Sequence, residues 1–99
     1  MELRIQSVNF EASSQLKAFA EKKANKLVRY SDDIIQSEMI MKELRPEGPN
    51  NREVSMKLNM RNGESFASKK ADSFEEAIDL CMDALEKQIM RAKEKKSGK

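Results

Sequence analysis

Histidine does not occur anywhere in this 99-residue sequence. Without an imidazole there is no His-based catalytic triad, no histidine metal site and no histidine proton shuttle. Cysteine occurs once, as Cys81, so an intrachain disulfide is excluded and a reducing, cytoplasmic setting is expected. Only five aromatic residues are present, with no RNP-like run among them. Glycine occurs three times, in no phosphate-cradling loop. No apolar run approaches the length needed to cross a bilayer. The opening "MELRIQSVNF" carries charges where a signal peptide would carry an apolar centre.

What is present is charge, and it is unevenly placed. The chain nets only +2. The stretch from Ser31 to Ala84 nevertheless holds seven basic and twelve acidic side chains, whereas 11–30 holds five basic and two acidic ones. The last fifteen residues, "LEKQIMRAKEKKSGK", hold six basic and two acidic. Two basic blocks therefore flank an acidic centre, an asymmetry that points to a polyanionic partner. Although 36% of residues are charged, apolar residues recur along the whole length, which argues for a folded chain. The length suits one small domain, expected over residues 1–96 with a frayed basic tail at 97–99.

The apolar pattern changes period along the chain. "ELRIQS" alternates, with Leu3 and Ile5 on one face, and predicts a strand. In "SSQLKAFAEKKANKLVRY" the residues Leu16, Phe19, Ala20, Leu27 and Tyr30 fall in one helical sector, with Ser13 as N-cap. "IIQSEMIMKEL" predicts a strand with Met39 and Met41 inward, and "RPEGPNNR" a loop. "VSMKLNM" alternates cleanly. The Asn62–Gly63 pair after it suits a two-residue hairpin turn that would pair Arg61 with Glu64, Asn59 with Phe66 and Leu58 with Ala67. "ESFASKKA" is the returning strand. "SFEEAIDLCMDALEKQIMRAKEKK" predicts a long helix, opened by Ser73 and Glu76 at capping-box spacing. Its stripe is Phe74, Ile78, Cys81, Met82, Leu85, Ile89 and Ala92. The expected fold is α+β: a β-α-β-β-β-α two-layer sandwich, its four-stranded sheet mostly antiparallel, both helices on one face.

Candidate binding residues lie beside those stripes. Lys22, Lys26 and Arg29 follow i, i+4, i+7 on the first helix, with Lys23 near the core edge. Lys87, Arg91 and Lys95 follow i, i+4, i+8 on the second. Two such ridges bordering a shared groove would neutralise phosphates. The plainer reading is a solvated helix flank, with lysines near a helix C-terminus favoured by the macrodipole. Lys69 and Lys70 would extend the basic surface to the sheet edge, or simply protect that edge from aggregation. Phe66, on the face opposite Leu58 and Met60, is either a stacking platform for a base or ordinary strand surface. Asp79 and Asp83 stand one helical turn apart. With no convergent cluster around them, they read as solubilising residues rather than as a metal or acid–base pair. Cys81 reads as an inert core thiol.

"AID" at Ala77–Asp79 followed by "LEKQI" at Leu85–Ile89, together with "KKANKL" in the first helix and "NGESFAS" in the hairpin, resembles the bacterial ribosome hibernation promoting factors and ribosome-associated inhibitors. The resemblance covers essentially the whole chain and its β-α-β-β-β-α order, and it is to the family's short form. The sequence departs from the family pattern in two places. Glu75 and Glu76 stand where an aromatic commonly precedes the Ala-Ile-Asp run, and Ala84 stands where some relatives carry lysine. The resemblance implies ribosomal RNA contact through Lys23, Lys26, Lys70, Lys87 and Arg91; Lys22, Arg29, Lys69 and Lys95 rest on the local pattern.

The function so implied is non-catalytic and cytoplasmic, with no cofactor. The partner is the small ribosomal subunit, its 16S ribosomal RNA and nearby ribosomal proteins near the decoding region. There the factor represses translation by blocking messenger and transfer RNA sites. A general double-stranded-RNA-binding module is the alternative, told apart by a flat affinity across unrelated duplexes.

Overall fold

The structure is a computed structural model that describes residues 2–30, 33–61 and 63–97; for Val28 and residues 92–97 it describes the backbone alone. The elements in chain order are β1 (Glu2–Val8), α1 (Ser14–Leu27), a turn of 3-10 helix (Val28–Tyr30), β2 (Ile34–Glu43), β3 (Arg52–Met60), β4 (Gly63–Ala71) and α2 (Phe74–Ser97). The sheet order is β1-β2-β3-β4. β1 lies parallel to β2, joined to it through α1, and β2, β3 and β4 form an antiparallel meander.

Both helices start where a serine side chain caps them. The Leu16 N–H donates to Ser13 Oγ at 3.1 Å, and the Glu76 N–H donates to Ser73 Oγ at 3.2 Å. Each satisfies one of the amide donors that a helix start leaves unpaired. The loop before β3 is tied by Asn51, which is buried and donates its side-chain amide to the Arg45 carbonyl at 2.9 Å. At the same end of the sheet, Phe10 stacks on Phe74 with ring centroids 4.3 Å apart, and the Arg52 guanidinium lies over the Phe74 ring at 5.5 Å. These contacts join the segment after β1 to the start of α2.

Strand alternation assigns the two sides of the sheet. Met39, Met41, Val54, Met56, Leu58, Ala67 and Ala71 point to the helices and are buried. They meet Leu16, Ala20, Ala24 and Leu27 of α1 and Ala77, Ile78, Cys81, Leu85 and Ile89 of α2 in a single core. The other side is open, and in two of its rows, separated by the row of Gln6, Ile40, Ser55 and Ser68, the charges alternate in sign: Arg4, Glu38, Lys57 in one and Lys42, Glu53, Lys70 in the other. Cross-strand neighbours of opposite sign are mildly stabilising, and together they leave that face without a dominant charge.

The hairpin register differs from the one expected. Met60 pairs with Gly63, Asn59 with Glu64, Leu58 with Ser65 and Lys57 with Phe66, a shift of two residues from the expected pairs. Gly63, with φ +141°, is the first residue of β4 rather than part of the turn, and Asn62 lies outside the described residues. Side chains repeat every two residues along a strand, so a two-residue shift leaves every residue on its expected face. The apolar pattern therefore could not choose between the two registers. Gly98, Lys99 and the Ala92 side chain also lie outside the described residues.

Candidate nucleic-acid interface

The helical side carries the expected cations, but it divides them into two groups. α2 has three flanks. Its apolar stripe faces the sheet. Asp79, Asp83 and Glu86, spaced i, i+4, i+7, wall a groove of about 420 Å³ shared with Lys23, Lys26 and Tyr30 on the side toward α1, and Asp83 also borders the groove on the next flank. Its third flank, with Leu80, Ala84, Lys87 and Arg91, faces outward beside β4. The groove between the helices is thus acidic on its α2 wall, where two facing cationic ridges were expected. Helical spacing accounts for this: Lys87 and Arg91 lie about 100° round the helix from Glu86 and from Met90, which turns them away from α1.

Lys22, Lys26 and Arg29 gather around Asn25 on the outer flank of α1 and the turn that follows it. Lys23 behaves differently. Its Nζ lies 3.0 Å from Asp79 Oδ1 and 5.3 Å from the centroid of the Phe19 ring, so it bridges the two helices. Lys69 joins Lys87 and Arg91 in the groove of about 400 Å³ between β4 and α2. Lys70, one residue further along β4, points to the open face opposite Glu53 and stands apart from the other candidates. The side chain of Lys95 lies outside the described residues, although its backbone continues α2.

The six residues of the two outer groups, Lys22, Lys26, Arg29, Lys69, Lys87 and Arg91, are all exposed. Among the described residues, none of the six lies within ion-pair distance of a carboxylate. Cations held without a protein counter-ion keep their full charge for an external anion, which suits phosphate contact and counterion release.

The acidic wall sets the local electrostatics between the tracks. Tyr30 donates its phenolic O–H to Glu86. That bond, with the Glu86 charge, raises the Tyr30 pKa above the usual 10.0. The pair Lys23–Asp79 and the pair Tyr30–Glu86 together stitch α1 and its following turn to α2. Sequence reasoning missed this strip. Its i, i+4, i+7 acidic spacing was readable, but its direction toward α1 was not.

Cys81 is fully buried at the interface of α2 and the sheet, and its thiol donates to the Val54 carbonyl at 3.0 Å. Burial pushes its pKa up to about 11, the setting of a core thiol rather than of a nucleophile. Phe66 is more than half exposed on the open face, beside Lys57. Among the described residues no group of three His, Cys, Asp or Glu side chains is arranged to hold a metal ion. Among the described residues no helix is long and apolar enough to cross a membrane.

These features define a two-layer α+β domain whose helical side carries two separated tracks of unpaired cations. Residues 3–97 match the family model described as Sigma 54 modulation protein / S30EA ribosomal protein, and the chain belongs to that family of ribosome-associated hibernation factors. The fold is similar to that of the N-terminal domain of Thermus thermophilus Protein Y, with a TM-score of 0.77 and 22% identity over 92% of this chain and 98% of that one. It is equally similar to a ribosomal subunit interface protein from Coxiella burnetii, with a TM-score of 0.78 and 22% identity over 94% of this chain and 98% of that one. A comparison with curated proteins returns no significant match.

Proposed function

We propose that this protein is a cytoplasmic hibernation factor that binds the small ribosomal subunit near the decoding region and represses translation by occupying the sites of messenger and transfer RNA. The observation that carries the reading is the family match across residues 3–97. The description of the Coxiella burnetii relative as a subunit interface protein agrees with it. The two cation tracks supply the physics. Phosphate contacts from Lys22, Lys26 and Arg29 on one flank and Lys69, Lys87 and Arg91 on the other provide affinity for 16S ribosomal RNA. The shape of the helical face and contacts to 2′-hydroxyls provide discrimination for structured RNA.

Inhibition on this reading is competition between polyanion-site occupants of one cleft. It needs no bond cleavage and no nucleotide. Binding to isolated small subunits is therefore expected to be strong, and to be lost on subunits already filled with messenger and initiator transfer RNA. Undiminished binding to the filled subunits defeats the mechanism. Equal affinity for unrelated RNA duplexes and for the intact subunit defeats the choice of partner.

A further inference from the structure

The groove between β4 and α2 has more chemistry than a phosphate track requires. Along α2 its wall runs Leu80, Asp83, Ala84, Lys87, Arg91, spaced i, i+3, i+4, i+7, i+11, so the residues form one continuous face over about 16 Å of helix. Lys69 closes the groove from the strand side. Leu80 is 41% exposed, unusual for a leucine with a packed core within reach of the same helix, and it borders Ala84 to make an apolar shelf. Asp83 stands beside that shelf, an acceptor-only group when ionised. Gln88 completes the wall. It uses its amide N–H on the Phe66 carbonyl at 2.8 Å, which fixes the side chain against the strand edge.

Cations alone would bind any backbone. An apolar shelf and a carboxylate acceptor beside three cations match a particular object: a phosphate joined to a flat, partly apolar ring that carries amino hydrogens. The groove's volume of about 400 Å³ falls within the ~300–1,000 Å³ typical of pockets for small ligands and so has room for a nucleotide. By contrast, the groove between the helices adds Asp79 and Glu86 to the shared Asp83, and three carboxylates on one wall make it the less favourable of the two for a phosphate.

We propose that the β4–α2 groove is a subsite for one unpaired nucleotide of the bound RNA: the backbone phosphates rest on Lys69, Lys87 and Arg91, the base lies on Leu80 and Ala84, and its exocyclic amino group donates to Asp83. The inference rests on the RNA-binding reading above and deepens it by adding base preference to a surface otherwise blind to sequence. Cytosine, adenine and guanine each offer an amino group at the Watson–Crick edge. Uracil offers an N–H set between two carbonyl oxygens, which a carboxylate repels.

The test is titration of the isotope-labelled protein with oligocytidine and oligouridine of equal length, followed by amide chemical shifts. Oligocytidine is expected to bind roughly fivefold more tightly, a ratio in keeping with one exposed hydrogen bond to a charged group, and to shift the amides of Leu80, Ala84 and Gln88. Asp83→Ala removes a negative charge and so tightens binding of every RNA. The decisive reading is the cytidine-to-uridine ratio, which is expected to fall to about one. Leu80→Ser is expected to weaken both oligomers and to leave the circular dichroism unchanged. A wild-type ratio of one, or a ratio that survives Asp83→Ala, overturns the subsite. If that happens while intact small subunits are still bound, the ribosome reading stands without the subsite. If the ratio behaves as stated but subunits are not bound, the ribosome reading falls and the subsite stands.

Discussion

Tyr30 is the one tyrosine of a chain without tryptophan, so ultraviolet absorbance reads its ionisation directly. Glu86 accepts the phenolic hydrogen bond and repels the phenolate, so the titration midpoint is expected above 10.0 and should fall toward it in Glu86→Gln. A midpoint unmoved by that substitution would remove the stitch between the 3-10 turn and α2. Cys81 offers a second titration. Its folded pKa, about 11, lies above the ordinary thiol value of 9.0. The unfolded chain therefore gives up this proton first as pH rises. By linkage, the stability Cys81 contributes is complete below pH 9 and is lost on going toward pH 11. Urea midpoints measured at pH 8 and pH 10 should drop less in Cys81→Ala than in the unaltered protein, and the substitution itself should cost about 1 kcal/mol. The inward methionines and the buried thiol were legible in the sequence because alternation and helical stripes report which side of an element is apolar. The Tyr30–Glu86 contact was not, since it depends on a turn of 3-10 helix and on how two helices sit against each other.

The helices and the hairpin show where local pattern carries information and where it stops. Caps at Ser13 and Ser73 were readable, and replacing either with alanine should cost about 1 kcal/mol in thermal or urea unfolding. The hairpin register was not readable, because a two-residue slip preserves every face. Gly63 at φ +141° now marks the start of β4. An added Cβ there meets no atom within 4 Å, so Gly63→Ala should cost on the order of 1–3 kcal/mol through backbone strain alone. For binding, the elements matter as separate tracks. Charge reversal of Lys22, Lys26 and Arg29, or of Lys69, Lys87 and Arg91, should each weaken binding to the small subunit in a sedimentation assay, and the two sets together should abolish it. Reversal of Lys70 on the open face should have little effect. If Lys70 matters as much as either track, the RNA contacts the open face of the sheet. The direction of each lysine was out of reach from spacing alone, because α2 carries acidic and basic flanks at the same period.

The assembled domain is elongated, 49 × 24 × 17 Å, and the two cation tracks lie on opposite flanks of its helical side. Raising salt should release the factor steeply, with each phosphate contact adding about 0.7–0.9 to the log–log slope. Reversing one track should lower that slope as well as the affinity; a weaker affinity at an unchanged slope would mean the lost contacts were not to phosphate. One helix also links stability to recognition. α2 supplies Ala77, Ile78, Cys81, Leu85 and Ile89 to the core from one side and Lys87 and Arg91 to the surface from another. A chain that has not docked α2 thus lacks a finished core and, equally, lacks its second point of attachment. Apparent affinity must then scale with the docked fraction of molecules. Ile89→Ala should cost about 2–5 kcal/mol of stability yet weaken binding only as far as it depletes that fraction. On the proposed reading, half-made or damaged copies therefore compete poorly for the ribosome without a separate device to reject them.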